Sequence, residues 1–242
     1  MPIVLKKEGK DHVLGIWQSL EPFDTLVGQS RLTEAEQSIL QNFKSENRRR
    51  EYLTVRVLVN QLYQFSPLSI TYDEKGKPTL GNSLSISISH TQEYVAILLS
   101  PMQHVGIDLE TIRPAIQKIA HKFVNEKEAK DIPLEHKNEH LHVIWGAKEV
   151  LYKIYSKGDV DFRKHMNVDS FQYKNAGSVP VSYTHLRAHE TVLDIVCRLL
   201  LEKKNNANNN SNIHFTYQYE NYNKTLQIHN HITSTETTLQ TQ

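Results

Sequence analysis

A single cysteine, Cys197, stands in 242 residues. That excludes an internal disulfide and any cysteine-rich zinc site, and it points to a reducing compartment. Long hydrophobic runs are missing as well. No stretch approaches the roughly 20 apolar residues of a membrane span, and the start, MPIVLKKEGKDHVLGIW, lacks the long apolar core of a secretion signal. A soluble, cytoplasmic protein away from membranes is the expectation. An excess of one charge is absent too: 28 Lys plus Arg oppose 27 Asp plus Glu, a net of +1. With no global basic field, nucleic acid is not the expected partner, and any anion-binding site must be local. Apolar residues make up 38%, with a mean hydropathy of −0.52. That shortfall is concentrated at the end, where Asn205–Asn212 is asparagine-rich and the following residues are polar and mixed.

The length suits one large domain or two small halves, since domains usually hold roughly 100–150 residues. Residues 1–20 read as strands, with Ile3, Val4 and Leu5, then Val13, Leu14, Ile16 and Trp17. Thr33 followed by Glu36 is a capping box. The spacing of Ile39, Leu40 and Phe43, then Tyr52, Leu53, Val57 and Leu62, predicts one or two helices from about Glu34 to Tyr63. Ser69–Tyr72 is short and β-prone, and Asp73 to Gly76 has turn composition. Leu84, Ile86 and Ile88 alternate with serines, as in a half-buried strand, and Tyr94–Leu99 and Val105–Leu109 read as further strands. Lys118–Lys130 and Leu141–Tyr155 read as helices. This order indicates an α+β fold, divided near His104 into an N-terminal half, 1–104, and a C-terminal half, 105–242.

Four features carry possible chemistry. Asp108 and Glu110, in GIDLE, fall at i and i+2 of an extended segment and so share a face. Two adjacent carboxylates repel and suit a hard cation such as Mg²⁺, or they are two solvated acids at a strand end. Glu149 and Lys153, in WGAKEVLYK, are i,i+4 neighbours on a helix, with Lys148 about 100° round from Glu149. Alone, they also fit a surface ion pair. His90, in SISHT, lies at a strand-to-turn boundary, where it donates to a phosphate or satisfies a turn. From Lys44 to Arg56, five cations oppose two acids, a local +3 that suits a multiply phosphorylated ligand or a solvated helix face. Lys77 adds a cation in a GKP turn.

In order along the chain, REYLTVRVLV, GKPTL, SISISHT, VGIDLE and WGAKEVLYKIYSKG resemble the motifs of the 4′-phosphopantetheinyl transferases of the Sfp type. The resemblance covers about residues 30–175, and its most specific part is the GIDLE and WGAKE pair, about 35 residues apart. It implies a pseudo-dimer of two similar α+β halves with coenzyme A in the cleft between them. The implied reaction moves the phosphopantetheine arm of coenzyme A to a serine of an apo acyl or peptidyl carrier protein and releases adenosine 3′,5′-bisphosphate. By the resemblance, Asp108, Glu110 and Glu149 hold Mg²⁺, with Glu149 completing the metal shell or taking the serine proton. Lys153 and Lys148 bind phosphate, and His90 and Lys77 bind the 3′-phosphate or pyrophosphate. Arg56 matches the arginine of the nucleotide site, with Arg49 or Lys44 assisting, and Glu128 matches an acid near the metal. The Sfp-type length implies a monomer. Gly146 stands where Ser or Thr is commoner, at an uncharged position. A non-catalytic coenzyme A or carrier-protein module on the same fold is the alternative, disfavoured by Asp108, Glu110, Glu149 and Lys153 all being kept. A Mg²⁺-dependent nuclease fits less well with the near-zero net charge.

One stretch departs from the family. Pro180 to Lys204 resembles a translated sequencing-adapter insert, and residues 181–212 are expected to be foreign to the fold or disordered. The rival is a native helix whose apolar face runs from Leu193 to Leu200. On the foreign reading, the segment packs poorly outside the cleft and plays no part in the site. His185 and His189 resemble half a metal site without a third ligand.

Overall fold

Two antiparallel sheets, each backed by one long helix, organise the chain. The structure is a computed structural model. It describes residues 3–63, 68–81, 83–102, 104–155, 159–174 and 177–183, and the backbone of two strands at 193–199 and 216–219. β1 (Ile3–Glu8) and β2 (Val13–Gln18) open it, followed by α1 (Phe23–Ser30), α2 (Glu34–Asn42) and α3 (Glu46–Leu62). β3 (Ile70–Tyr72) and β4 (Pro78–Leu80) form a small ribbon. β5 (Ser85–His90) and β6 (Tyr94–Ser100) complete a four-stranded sheet in the order β1-β2-β6-β5.

The expected helical stretch is two helices, each with its own start signal. Thr33 Oγ1 accepts from the Glu36 amide, and Glu36 Oε2 accepts from the Thr33 amide, so the capping box closes as the sequence predicts. Ser45 then caps α3 by accepting from the Arg48 amide. α1, which the sequence reading missed, has no side-chain cap at its start.

The second half begins at β7 (Val105–Asp108) and continues through α4 (Ile116–Ile119) and a 3-10 turn at Ala120–Lys122. α5 (Glu126–Asp131), α6 (Lys137–Tyr155) and α7 (Phe162–His165) come next. β8 (Met166–Val168), β9 (Gly177–Tyr183), β10 (Leu193–Leu199) and β11 (Thr216–Tyr219) complete the second sheet, in the order β7-β11-β10-β9-β8. The helix expected across Lys118–Lys130 is interrupted. Asn125 leaves helical geometry and restarts the chain as the cap of α5, in a second capping box with Glu128. α6 starts at Lys137, a turn before the expected Leu141.

β6 explains how the halves join. All seven of its residues are buried because both faces of its sheet are covered. Val95, Ile97 and Leu99 meet the helices of the first half. Ala96 and Leu98, with Leu14 and Ile16 of β2, meet Val105, Ile107 and Leu109 of the second half. α6 lies directly on β7 at Gly106, where an added Cβ would stand 2.7 Å from the Val150 carbonyl oxygen. That bare glycine lets the helix and the strand approach closely enough for their polar side chains to meet.

Two expectations change. The serines of β5 are not a solvated face: Ser87 and Ser89 are buried against β7. The helical alternative for Leu193–Leu200 also fails. Leu193–Leu199 is extended and pairs with β9 from Leu193↔Tyr183 to Leu199↔Gly177. Its composition fits this, with β-branched Ile195 and Val196 at its centre. His185 and His189 lie outside the described residues, as does Asn205–Asn212. Among the described residues no helix is long and apolar enough to cross a membrane.

Candidate active site

A cleft of about 410 Å³ opens between the halves. α3, the β3–β4 turn and β5 form one wall, and Val105 of β7 with Tyr152 and Lys153 of α6 form the other. Its cations are Arg48, Lys75, Lys77 and Lys153, with the His90 imidazole beside them, against Glu51 as the acid on the wall. The turn is built to present its lysines. Asp73 Oδ1 accepts from the Lys75 and Lys77 amides at 2.9 and 2.8 Å, and Gly76 takes the positive φ of 80° that closes it. On that wall, Glu51 accepts from Arg48 Nη1 at 2.9 Å and lies 3.6 Å from His90 Nδ1. A neighbouring recess, lined by Asn47, Arg50, Thr91 and Gln92, shares Glu51 and His90 with the cleft.

Lys153 joins this cationic cleft to the acids. Its Nζ donates to the Ile107 carbonyl at 2.7 Å and to Asp108 Oδ1 at 2.9 Å. Asp108 Oδ1 also accepts from Ser89 Oγ at 3.1 Å, while Oδ2 is buried with no hydrogen-bond partner. Glu110, just past β7, accepts from Trp145 Nε1 at 2.9 Å. Burial first, and then the charge of Asp108, push the Glu110 carboxyl up to about 7, with Glu149 adding to the shift. Burial and Asp108 likewise push Glu149 up to about 7. These three acids feel one another's charge, and ionising all of them together is costly without a cation.

Among the described residues, no three His, Cys, Asp or Glu side chains form a ready-made cation cage. The orphaned Asp108 Oδ2 and the raised Glu110 and Glu149 are the donor chemistry a cation needs.

Lys77, His90 and Lys153 line the cleft, Lys153 reaches Asp108, and Glu110 and Glu149 lie near enough to Asp108 to feel its charge. The structure does not bring Arg56, Arg49 or Lys148 into the cleft wall. Arg56 is 2% exposed; its Nε meets Glu36 Oε1 at 3.0 Å, and its guanidinium lies over the Tyr52 ring at 3.3 Å. It holds α3 to α2 from behind the cleft. Arg49 turns to the other side of α3 and lies over the Phe23 ring at 4.8 Å. Lys148 is fully buried, donating to Glu128 at 2.8 Å and to the Phe123 and Phe162 carbonyls at 2.6 and 3.1 Å. Burial lowers its pKa against the pull of Glu128. Glu128 itself caps α5, accepts from the Val168 amide at 2.8 Å and pairs with Lys148. Both charges are spent on structure, because a buried ion keeps its charge only where partners surround it. Lys44 is exposed outside the described cleft wall. Arg48, Lys75 and Tyr152, which the sequence reading passed over, do line it.

Residues 104–196 match the family model described as the 4′-phosphopantetheinyl transferase superfamily. The chain is 33% identical to the 4′-phosphopantetheinyl transferase AcpT of Salmonella typhi over 114 residues, 44% of this chain and 58% of the relative. It is 30% identical to the 4′-phosphopantetheinyl transferase Sfp of Bacillus subtilis, over 43% of this chain and 49% of the relative. With the B. subtilis transferase ffp, the figures are 29%, 43% and 49%. The chain spans about half the length of the curated relatives it matches. The likeness to the 4′-phosphopantetheinyl transferase superfamily therefore lies in residues 104–196, the stretch that carries Asp108, Glu110, Glu149 and Lys153.

Proposed function

We propose that the chain transfers the 4′-phosphopantetheine group of coenzyme A to a serine of an apo acyl or peptidyl carrier protein. Lys153 is the observation that carries this reading. It lines the cationic cleft and is ion-paired to Asp108 at 2.9 Å, so phosphate-binding and acid groups of both halves meet at one place.

In this reading the cations of the cleft wall take the phosphates, with Lys77, Lys75 and Arg48 on one side and Lys153 on the other. His90 and Arg50 border the adjoining recess, which suits a further phosphate. The carrier serine oxygen bonds to the β-phosphorus, and the bond from that phosphorus to the bridging oxygen breaks. The electron pair leaves on adenosine 3′,5′-bisphosphate. Lys153 lies where charge builds on the leaving oxygens. Asp108 and Glu110 would hold Mg²⁺, with Glu149 completing the set or taking the serine proton, and the ion would supply charge neutralisation at the pyrophosphate. Without a bound cation, burial and Asp108 push the Glu149 carboxyl up to about 7, the range of a general base at physiological pH.

The two halves are read as a pseudo-dimer divided at 104/105, each an antiparallel sheet with a long helix, α3 or α6, against it. The described residues of one chain form both walls of the cleft, which supports a monomer. The test is to incubate the protein with coenzyme A, Mg²⁺ and an apo carrier protein and to weigh the carrier by mass spectrometry. Gain of one phosphopantetheine arm on the carrier serine is expected, lost when EDTA is added. A carrier of unchanged mass, with coenzyme A bound, would instead make the chain a non-catalytic binding module.

A further inference from the structure

We propose that Ser89, on the N-terminal half, is the positioning residue for the metal-side carboxylate of Asp108 on the C-terminal half. The inference rests on the reading that Asp108 binds the cation, and it adds a residue to which the reaction assigns no role.

The geometry begins with an exposed edge. β7 is the end strand of its sheet, paired on one side with β11 through Thr216↔Asp108 and Tyr217↔Ile107. On its other side an edge strand presents alternate amides without a strand to receive them. β5 does not supply backbone acceptors for them. It supplies hydroxyls: Ser87 Oγ accepts from the Ile107 amide at 2.9 Å, and Ser89 Oγ accepts from the Leu109 amide at 3.1 Å. The alternation in Ser85–His90 places both serines on the face turned to β7, while Ile86 goes to the core of the first half. The sheets are stitched edge to edge by side chains, and both serines are buried in the seam.

The two stitches are not equivalent. Ser89 has a second task, since its hydroxyl donates to Asp108 Oδ1 at 3.1 Å. A serine hydroxyl carries one proton and two acceptor lone pairs, so receiving the Leu109 amide leaves that proton for Asp108. Asp108 Oδ1 is then held from two elements, by Ser89 of β5 and by Lys153 of α6 at 2.9 Å. With Oδ1 fixed at two points, rotation of the carboxylate is blocked. Oδ2 is left buried with no partner. A carboxylate presented in this way has one oxygen committed to the protein and one left for a cation. Ser87 touches the backbone of β7 and not Asp108, which makes it the internal control.

The experiment compares Ser89→Ala, Ser87→Ala and Ser89→Thr with the wild-type chain. Mn²⁺ binding is followed by the loss of the free-ion electron paramagnetic resonance signal, and folding by thermal melting. Ser87→Ala removes one seam hydrogen bond and Ser89→Ala two, so both melt at lower temperature. Mn²⁺ affinity falls roughly tenfold in Ser89→Ala, as loss of one charge-assisted hydrogen bond implies. It stays near wild type in Ser87→Ala, and it is restored in Ser89→Thr, which keeps the hydroxyl. Wild-type affinity in Ser89→Ala, or an equal loss in Ser87→Ala, overturns the positioning role while leaving the metal reading intact. Failure of the wild-type chain to take up Mn²⁺ overturns the metal reading and the proposal with it.

Discussion

The indole nitrogen of Trp145 donates to Glu110 Oε1 at 2.9 Å, tying together two motifs 35 residues apart. This bond opposes the burial that pushes the Glu110 carboxyl up. It also fixes that carboxylate beside Asp108 and Glu149. Trp145 is itself held by rings, with Phe123 at 5.1 Å and Phe162 at 5.5 Å.

Trp145→Phe keeps most of this packing and removes the donor. Glu110 then becomes a weaker acid, and its affinity for a cation drops by about three- to tenfold, one hydrogen bond to a charged group. A Mg²⁺ titration by calorimetry measures this. Unchanged affinity would show that the indole bond does not shape the site.

The acids give the metal-free protein a distinctive pH response. Folded Glu110 and Glu149 sit at about 7, above the ordinary 4.5 of an unfolded chain. Between those values the folded state holds more protons than the unfolded state, so this contribution to stability falls as pH rises through the window. The melting temperature without metal is expected to fall from about pH 5 to about pH 8, and Mg²⁺ is expected to restore it at the higher pH only. Glu149→Gln flattens the slope. A slope unaffected by that substitution would place the titrating groups elsewhere.

Arg56→Ala is expected to damage the fold and not the affinity for coenzyme A. It strands Glu36, 4% exposed, as an uncompensated buried charge. Breaking one side of such a pair costs about 3–5 kcal/mol. Chemical denaturation reads this loss directly. Lys77→Ala, at the cleft wall, does the reverse: normal stability and a raised KM for coenzyme A. A raised KM with normal stability in Arg56→Ala would restore the arginine to the nucleotide site.

These contrasts show where the sequence was legible. The Thr33–Glu36 capping box is a short-range pattern and closes where its spacing predicts; Glu149 and Lys153 both fall on α6, while Asp108 ends β7 and Glu110 lies just past it. The basic run in α3 was legible as charge but not in its partners, because charge alone does not name a partner. Arg56 is matched by Glu36 and Lys148 by Glu128, each 20 residues away in sequence, and in both cases the acid doubles as a helix cap. Arg48, Arg49 and Arg50 are adjacent in sequence, yet helical rotation sends them to the cleft, to Phe23 and to the Glu21 carbonyl. The buried serines of β5 were hidden for a different reason. Alternation identifies a second face but not what covers it, and the cover is β7 of the other half.

The segment after Tyr183 carries its own test. β10 lies between β9 and β11, and β11 pairs with β7. A chain ending at Tyr183 loses both strands, and a melting temperature clearly below that of the full chain is expected if they complete the sheet. Equal melting temperatures, together with a resequenced gene lacking the stretch, would identify residues 181–212 as foreign.

The most direct measurement is carrier modification by Asp108→Ala at saturating coenzyme A, compared with the wild-type chain and read by mass spectrometry. The wild-type chain should load the phosphopantetheine arm onto the carrier serine. The variant should bind coenzyme A through the cations of the cleft and transfer nothing, because the acid that gathers Lys153, Ser89 and the cation is gone. Transfer at the wild-type rate by Asp108→Ala would contradict the account.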